Sequence, residues 1–348
     1  MLENTTRTEL SSLGEFGLID HLKKSIQLHN SSSLKGIGDD AAVINYSNNY
    51  ALVSTDMLVE GVHFDLAYVP LRHLGYKAAV VNFSDIYAMN GKPEQLLVSI
   101  ALSNRFSVEA VEEIYEGLLL ACKKYKVDLV GGDTTTSPYG LTLSLTVLGT
   151  GEKDSICYRS DAGDNDLICV SGDLGGAYMG LQILEREKQI FRENPTVQPD
   201  LEGNDYILER QLKPEARKDI VELLRELKVK PGAMIDISDG LASELLHICQ
   251  HSQKGCIIHE EKIPIDSQTA QCAQQFNLDP TLCALSGGED YELLFTIPLR
   301  EHDKIKNLKE ITIIGHITDK SSGCNLVTRD GKQHPLTAQG WDSFLKKN

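Results

Sequence analysis

Residues 36–65 read GIGDDAAVINYSNNYALVSTDMLVEGVHFD. This stretch places the paired carboxylates of Asp39 and Asp40 before one short apolar run, and Ser54, Thr55 and Asp56 after a second. Acidic groups therefore fall where strand-like segments meet loops, which is where sites are usually built. A hairpin joining the two runs would bring Asp40 and Asp56 together, and two adjacent carboxylates cost free energy unless a cation lies between them. The stretch reads as half of a divalent-metal site.

Outside it, the 348 residues exceed one ordinary core and suit two domains, residues 1–150 and 151–348. The hydrophobic content of 41% is that of a globular protein. Apolar stretches such as Leu119 to Cys122 fall far short of the roughly 20 residues a membrane span requires. The opening MLENTTRTEL lacks the apolar segment of an export signal, so a cytoplasmic protein is expected. A net charge of −16, from 50 acidic and 34 basic residues, disfavours nucleic acid and anionic lipid as partners. A small anionic ligand would have to be held through recruited cations. The eight cysteines show no CxxC spacing, which argues against a redox dithiol and a ribbon-type zinc site, and they are expected to be mostly buried and inert. His247 and His251 stand at i, i+4 without the Glu of an HExxH protease, so an ordinary helix face is the expectation there.

Apolar spacing predicts a helix over Glu15–His29 and another from Pro70 to a stop at Asn90-Gly91. Asp85 lies inside the second helix, where it reads either as part of a solvated face or as a third metal ligand. Glu94–Leu102 reads as a strand, Ser107–Lys124 as a helix capped by Ser107, and Val127–Val130 as a short buried strand ending in the turn Gly131-Gly132-Asp133-Thr134-Thr135. Leu141–Gly149 is a half-buried strand that closes the first domain. Asp166–Val170 opens the second domain, and Ser171–Gly176 turns into a helix whose start suits either an anion or simple helix–strand packing. Gln189–Asn204 reads as a long surface loop. Ala233–Leu241 is a strand carrying Asp236 and Asp239 around Ser238, followed by a helix over Ser243–Gln250. Ser286-Gly287-Gly288-Glu289-Asp290 precedes a strand at Tyr291–Ile297. Neither a Walker A motif nor a Rossmann fingerprint occurs.

Taken in order, GIGDDAAV, STDMLVEGVHF, NFSDIYAMNGKP, GGDTT, MIDISDGL and SGGEDYELLFT resemble the thiamine-monophosphate kinase family over nearly the whole chain. That family shares a superfamily with aminoimidazole ribonucleotide synthetase, selenophosphate synthetase and a hydrogenase maturation factor. The resemblance implies a two-domain α/β (α+β) fold of the aminoimidazole ribonucleotide synthetase type, a homodimer built on the N-terminal sheets, and phosphorylation of thiamine monophosphate with ATP as co-substrate. It further implies that Asp40, Ser54, Thr55, Asp56, Asp85, Asp133, Asp236 and Asp239 hold several Mg2+ ions, with Asp85, Asp133 and Asp239 central to catalysis. Tyr115, Gly132, Asp133, Arg159 and Ser238 would touch ATP, and His63, Glu289 and Trp341 the thiamine phosphate. A need for K+ is left open. One departure affects Arg159: the family's RSGAKPGD-like turn reads RSDAGDND, with Asp161 and Asn165 in place of glycines. Two other classes stand beside this reading, a related ATP-dependent synthetase and a non-catalytic metal- or nucleotide-binding protein.

The residues themselves agree with that chemistry. Joining two phosphates brings two polyanions together, and the acceptor oxygen is already ionised near neutral pH because its second pKa is about 6. The barrier then lies in repulsion and alignment, which carboxylate-held magnesium relieves.

Overall fold

The opening stretch folds into the expected hairpin. β1 (Ser33–Lys35), β2 (Ala42–Tyr46) and β3 (Asn49–Val59) are antiparallel, and the pairing of Val43 with Leu52 puts two fully buried side chains on one face. The computed structural model describes residues 31–35, 38–46 and 49–338; the helix expected over Glu15–His29 and the segment of Trp341 lie outside them. The first half continues through α1 (Leu71–Ala88), β4 (Lys92–Leu102), α2 (Val108–Tyr125), β5 (Asp128–Thr136) and β6 (Thr142–Glu152). Its six strands are ordered β1-β2-β3-β6-β4-β5.

α1 starts at Pro70, which has extended backbone and presets the first turn, and stops where Asn90 turns left-handed at φ 57°. It lies against β3, β4 and β6 on one side and α2 and the second half on the others. Enclosure on all sides explains why Leu74, Phe83 and Ile86 are fully buried; each contributes about 1.5–3 kcal/mol of burial.

The second half runs β7 (Leu167–Ser171), α3 (Gly176–Glu193), α4 (Asp205–Leu212), α5 (Lys218–Glu226), β8 (Met234–Asp236), α6 (Leu241–Ser252), β9 (Lys254–His259), α7 (Ser267–Gln275), α8 (Pro280–Ser286), β10 (Leu293–Ile297), α9 (His302–Ile305), β11 (Ile311–Asp319), β12 (Cys324–Val327) and β13 (Gln333–Pro335). Its strands are ordered β13-β12-β9-β11-β7-β10-β8. One hydrophobic cluster extends from the first sheet through α1 to Ala216, Ile220, Val221 and Leu224 on and beside α5, and to Phe295 and Ile297 of β10. A second lies under α6, around Leu241, Leu245, Ile248 and Ile314. Among the described residues, no helix is long and apolar enough to cross a membrane.

Several expectations are corrected. The short buried strand over Val127–Val130 is a longer, largely exposed edge strand, and GGDTT lies inside it rather than forming a turn. Gly132 permits this: a Cβ there would stand 1.9 Å from the Val98 carbonyl oxygen of the paired strand. The loop expected over Gln189–Asn204 begins only after α3 ends at Glu193. The strand expected over Ala233–Leu241 is confined to Met234–Asp236, because Ile237–Gly240 bends to meet the loop before β10. β4, the strand read over Glu94–Leu102, begins at Lys92 and is an inner strand between β6 and β5.

Candidate functional site

Asp40 precedes β2, Asp85 is in the last turn of α1, and Asp236 ends β8. One carboxylate oxygen from each lies within 4.8 Å of the other two. Asp40 and Asp236 are buried and Asp85 is half-buried. Strand alternation puts Ser54 and Asp56 of β3 on one face, towards α1. There the Ser54 hydroxyl donates to Asp85 at 2.5 Å, and the Asp56 amide donates to the Asn82 side chain at 3.2 Å. Thr55 faces the other way, its hydroxyl donating to the Leu145 carbonyl at 2.7 Å, so it is not brought to the group.

One cation answers this acidity. Arg159 donates through Nε and Nη2 to both oxygens of Asp40, at 3.0 and 2.8 Å, while its amide donates to Asp39 at 3.2 Å. The altered turn after it holds because Asn165 adopts the left-handed conformation, φ 61°. One guanidinium does not balance the group. Burial, then the charges of Asp56, Asp236 and Asp40, raise Asp85 well above the usual carboxylate value, against the Ser54 hydrogen bond. Burial and the charge of Asp40 raise Asp236 to about 8, and burial raises Asp56 to about 6. Carboxylates crowded this closely hold protons unless a cation replaces them.

The Ser238-Asp239-Gly240 turn and the Gly287–Glu292 loop are laced together. Glu289 N donates to Ser238 O at 2.6 Å, Tyr291 N to Ile237 O and Ile237 N to Glu292 O, both at 2.8 Å. Glu289 and Tyr291 both sit at positive φ, 59° and 52°, a strain of the kind that clusters at functional sites. Glu244, which the sequence reading did not single out, accepts from the amides of Ser238 and Asp239 at 3.2 and 2.8 Å and so fixes how Asp239 is presented. Asp290, also not singled out, accepts from the amides of Gly175 and Ala177 at 2.8 and 3.4 Å. The glycine-rich start of α3 is thus filled by the protein's own carboxylate. Glu292 is bound by Ser171, Arg210 and Arg217, which ties β10 to β7, α4 and the segment before α5.

Glu289 accepts from Gln211 at 2.8 Å and pairs with Lys77 Nζ at 3.1 Å. Lys77, Gln211, Tyr68, Phe64 and His63 line one narrow crevice, and Glu289 reaches it only through its contacts with Lys77 and Gln211. By contrast, Gly132 and Asp133 on β5 stand three strands from Asp56, roughly 14 Å at about 4.8 Å per strand, outside the three-carboxylate group. Tyr115 is half-buried on α2, packed against the first cluster. Trp341 lies outside the described residues.

The donor set fits magnesium: hard carboxylate oxygens converge, no thiol or imidazole joins them among the described residues, and the crowding itself calls for positive charge. In the comparisons with known proteins, residues 38–151 match the family model of AIR synthase related protein, N-terminal domain. The chain is 34% identical over 335 residues to thiamine-monophosphate kinase of Aquifex aeolicus, covering 96% of this chain and 99% of that one. It is 35% identical to that of Bacillus subtilis, covering 95% and 100%. The chain belongs to the thiamine-monophosphate kinase family. Among solved structures, a family member described as AaThiL complexed with AMPPCP and TMP superposes with a TM-score of 0.81 at 34% identity, covering 97% of this chain and 99% of that one.

Proposed function

We propose that this chain transfers the γ-phosphoryl group of ATP to thiamine monophosphate, giving thiamine diphosphate by one in-line displacement. The observation that carries the reading is the convergence of Asp40, Asp85 and Asp236, drawn from three distant stretches, in a chain 34% identical to a thiamine-monophosphate kinase over 96% of its length. Asp40, Asp56, Asp85 and Asp236 would hold Mg2+, with Asp239 nearer the acceptor phosphate. Magnesium held by these carboxylates would supply charge stabilisation for the transferring phosphoryl group. Ser54 orients Asp85, Arg159 orients Asp40, and Glu244 fixes the Ser238-Asp239 turn. The acceptor phosphate arrives ionised, so no residue has to remove a proton from it. The Ser54 and Ser238 hydroxyls bond Asp85 and Glu244, carboxylates committed here to holding metal and fixing a turn, so direct transfer is the reading taken over a phosphoenzyme.

The thiamine moiety would bind beside the crevice of His63, Lys77 and Gln211, near Glu289. Its cationic thiazolium suits the Glu289 carboxylate, with Trp341 as aromatic partner. Gly132, Asp133 and Tyr115 would meet the nucleotide farther along the sheet, and a K+ requirement is part of the same test. We further propose a homodimer through β5 and α2, where Val130, Leu119 and Leu120 are 57%, 53% and 40% exposed. The deciding experiment measures ATP-dependent thiamine diphosphate formation with and without Mg2+, beside turnover of formylglycinamidine ribonucleotide. Inversion at the transferred phosphorus is expected; retention would reject direct transfer, and turnover of the ribonucleotide alone would reject the substrate.

A further inference from the structure

Cys249, Cys256 and Cys324 come from three separate elements: the last turns of α6, β9 and the first residue of β12. β9 and β12 run parallel with Cys256 directly opposite Cys324. The three sulfurs all lie within 4.8 Å of one another, and the group contains no histidine or carboxylate. All three are free thiols; Cys249 and Cys256 are buried at 2% and 0% exposure, and Cys324 is half-buried. Around them pack Ile248, Ile258, Ile317 and Leu336 of the second cluster.

We infer that these three side chains form a binding site for one thiophilic d10 cation of the Zn2+ class, held by three thiolates with its fourth position open to solvent beside Cys324. Sulfurs about 2.3 Å from one zinc ion stand roughly 4 Å apart, inside the observed spread. The ligands sit on a helix end and two paired strands, so little ordering is required on binding. Uptake of a divalent ion forms three metal–sulfur bonds, releases to water every proton the three thiols hold, and leaves a net charge of −1. The aspartate group does not compete, because thiolates select soft ions and carboxylates hard ones. The bound ion would pin β12 to the far end of α6, the helix whose first turn carries Glu244.

The test titrates the reduced full chain anaerobically with Co2+ as a spectroscopic probe, in excess Mg2+ to fill the carboxylate group. Thiolate ligation gives a sulfur-to-cobalt charge-transfer absorption that carboxylates do not. The expected result is saturation at one Co2+ per chain, bleaching by one equivalent of Zn2+, and a Zn2+-dependent rise in Tm. Cys324→Ser, at the half-exposed position, should bind more than about 100-fold more weakly, beyond the cost of losing a supporting hydrogen bond, and its Tm should ignore Zn2+; Cys324→Ala serves as a second variant should the first fold poorly. Absence of the charge-transfer band in the parent chain, or an equal band in both variants, would overturn the site.

Discussion

Arg159 grips Asp40 across 119 residues of chain, Nε to Oδ2 at 3.0 Å and Nη2 to Oδ1 at 2.8 Å, and so joins the end of the first half to its opening acidic turn. Asp40 is also one of three carboxylates that crowd a single point. Arg159→Met leaves that crowd without its counter-ion, and removing one partner of a buried pair costs about 3–5 kcal/mol. Equilibrium unfolding of the metal-free variant should show a deficit of that order, shrinking at saturating Mg2+. A variant as stable as the parent without metal would assign the pair no structural role.

Asp85→Asn should behave in the opposite way. It relieves repulsion with Asp56, Asp236 and Asp40, so the metal-free chain should be at least as stable as the parent. Turnover should nonetheless fall by about 10³-fold, since several kcal/mol of charge stabilisation is lost. Near-normal kcat at saturating Mg2+ would remove Asp85 from the machinery.

The pH dependence has a definite sign. Asp56, raised to about 6, and Asp236, raised to about 8, have folded-state values above the unfolded one of about 4. Between those values the folded chain keeps protons that the unfolded chain has released, so stability of the metal-free protein falls as pH rises from about 4 to about 8. Denaturant midpoints from pH 5.5 to 8 should decline without metal and flatten with Mg2+, which replaces the protons. Parallel slopes in the two series would place the dependence elsewhere.

Glu289→Gln keeps the Gln211 contact but removes the charge paired with Lys77, which lines the crevice. KM for thiamine monophosphate should rise by about tenfold while KM for ATP stays put. Trp341→Ala should show the same split. Equal rises for both substrates would move the acceptor pocket elsewhere.

At Gly132 a methyl group would stand 1.9 Å from the Val98 carbonyl oxygen. Gly132→Ala should therefore force β5 away from β4 and cost about 1–3 kcal/mol in equilibrium unfolding. No measurable change would mean that the edge strand yields freely.

Features written locally were legible in the sequence. Pro70 and Asn90 bracket α1, Ser107 caps α2 by accepting from the Ala110 amide at 3.3 Å, and Asp40, Asp85, Asp236 and Arg159 were singled out and meet. What was missed depends on pairing. GGDTT has the composition of a turn, and only its close register with β4 makes it a strand. Thr55 shares a motif with Ser54 and Asp56, yet the two-residue period sends it to the other face. Glu244, Asp290 and Glu292 carry no assigned role in the sequence reading; the signals were the Glu four residues after Gly240 and the dense run Glu289-Asp290-Tyr291-Glu292 before a buried strand.

The apolar cluster of the first sheet takes in Ala216, Ile220, Val221 and Leu224, which follow the loop at residues 194–204 by only a few turns of chain. A protease cut within 194–204 would therefore sever the backbone while leaving the fragments interlocked. The halves are not interchangeable modules either. A chimera that takes residues up to about 150 from one relative and the remainder from another would set a foreign α5 against the native core, so the recombination that preserves packing carries 213–229 along with the first sheet.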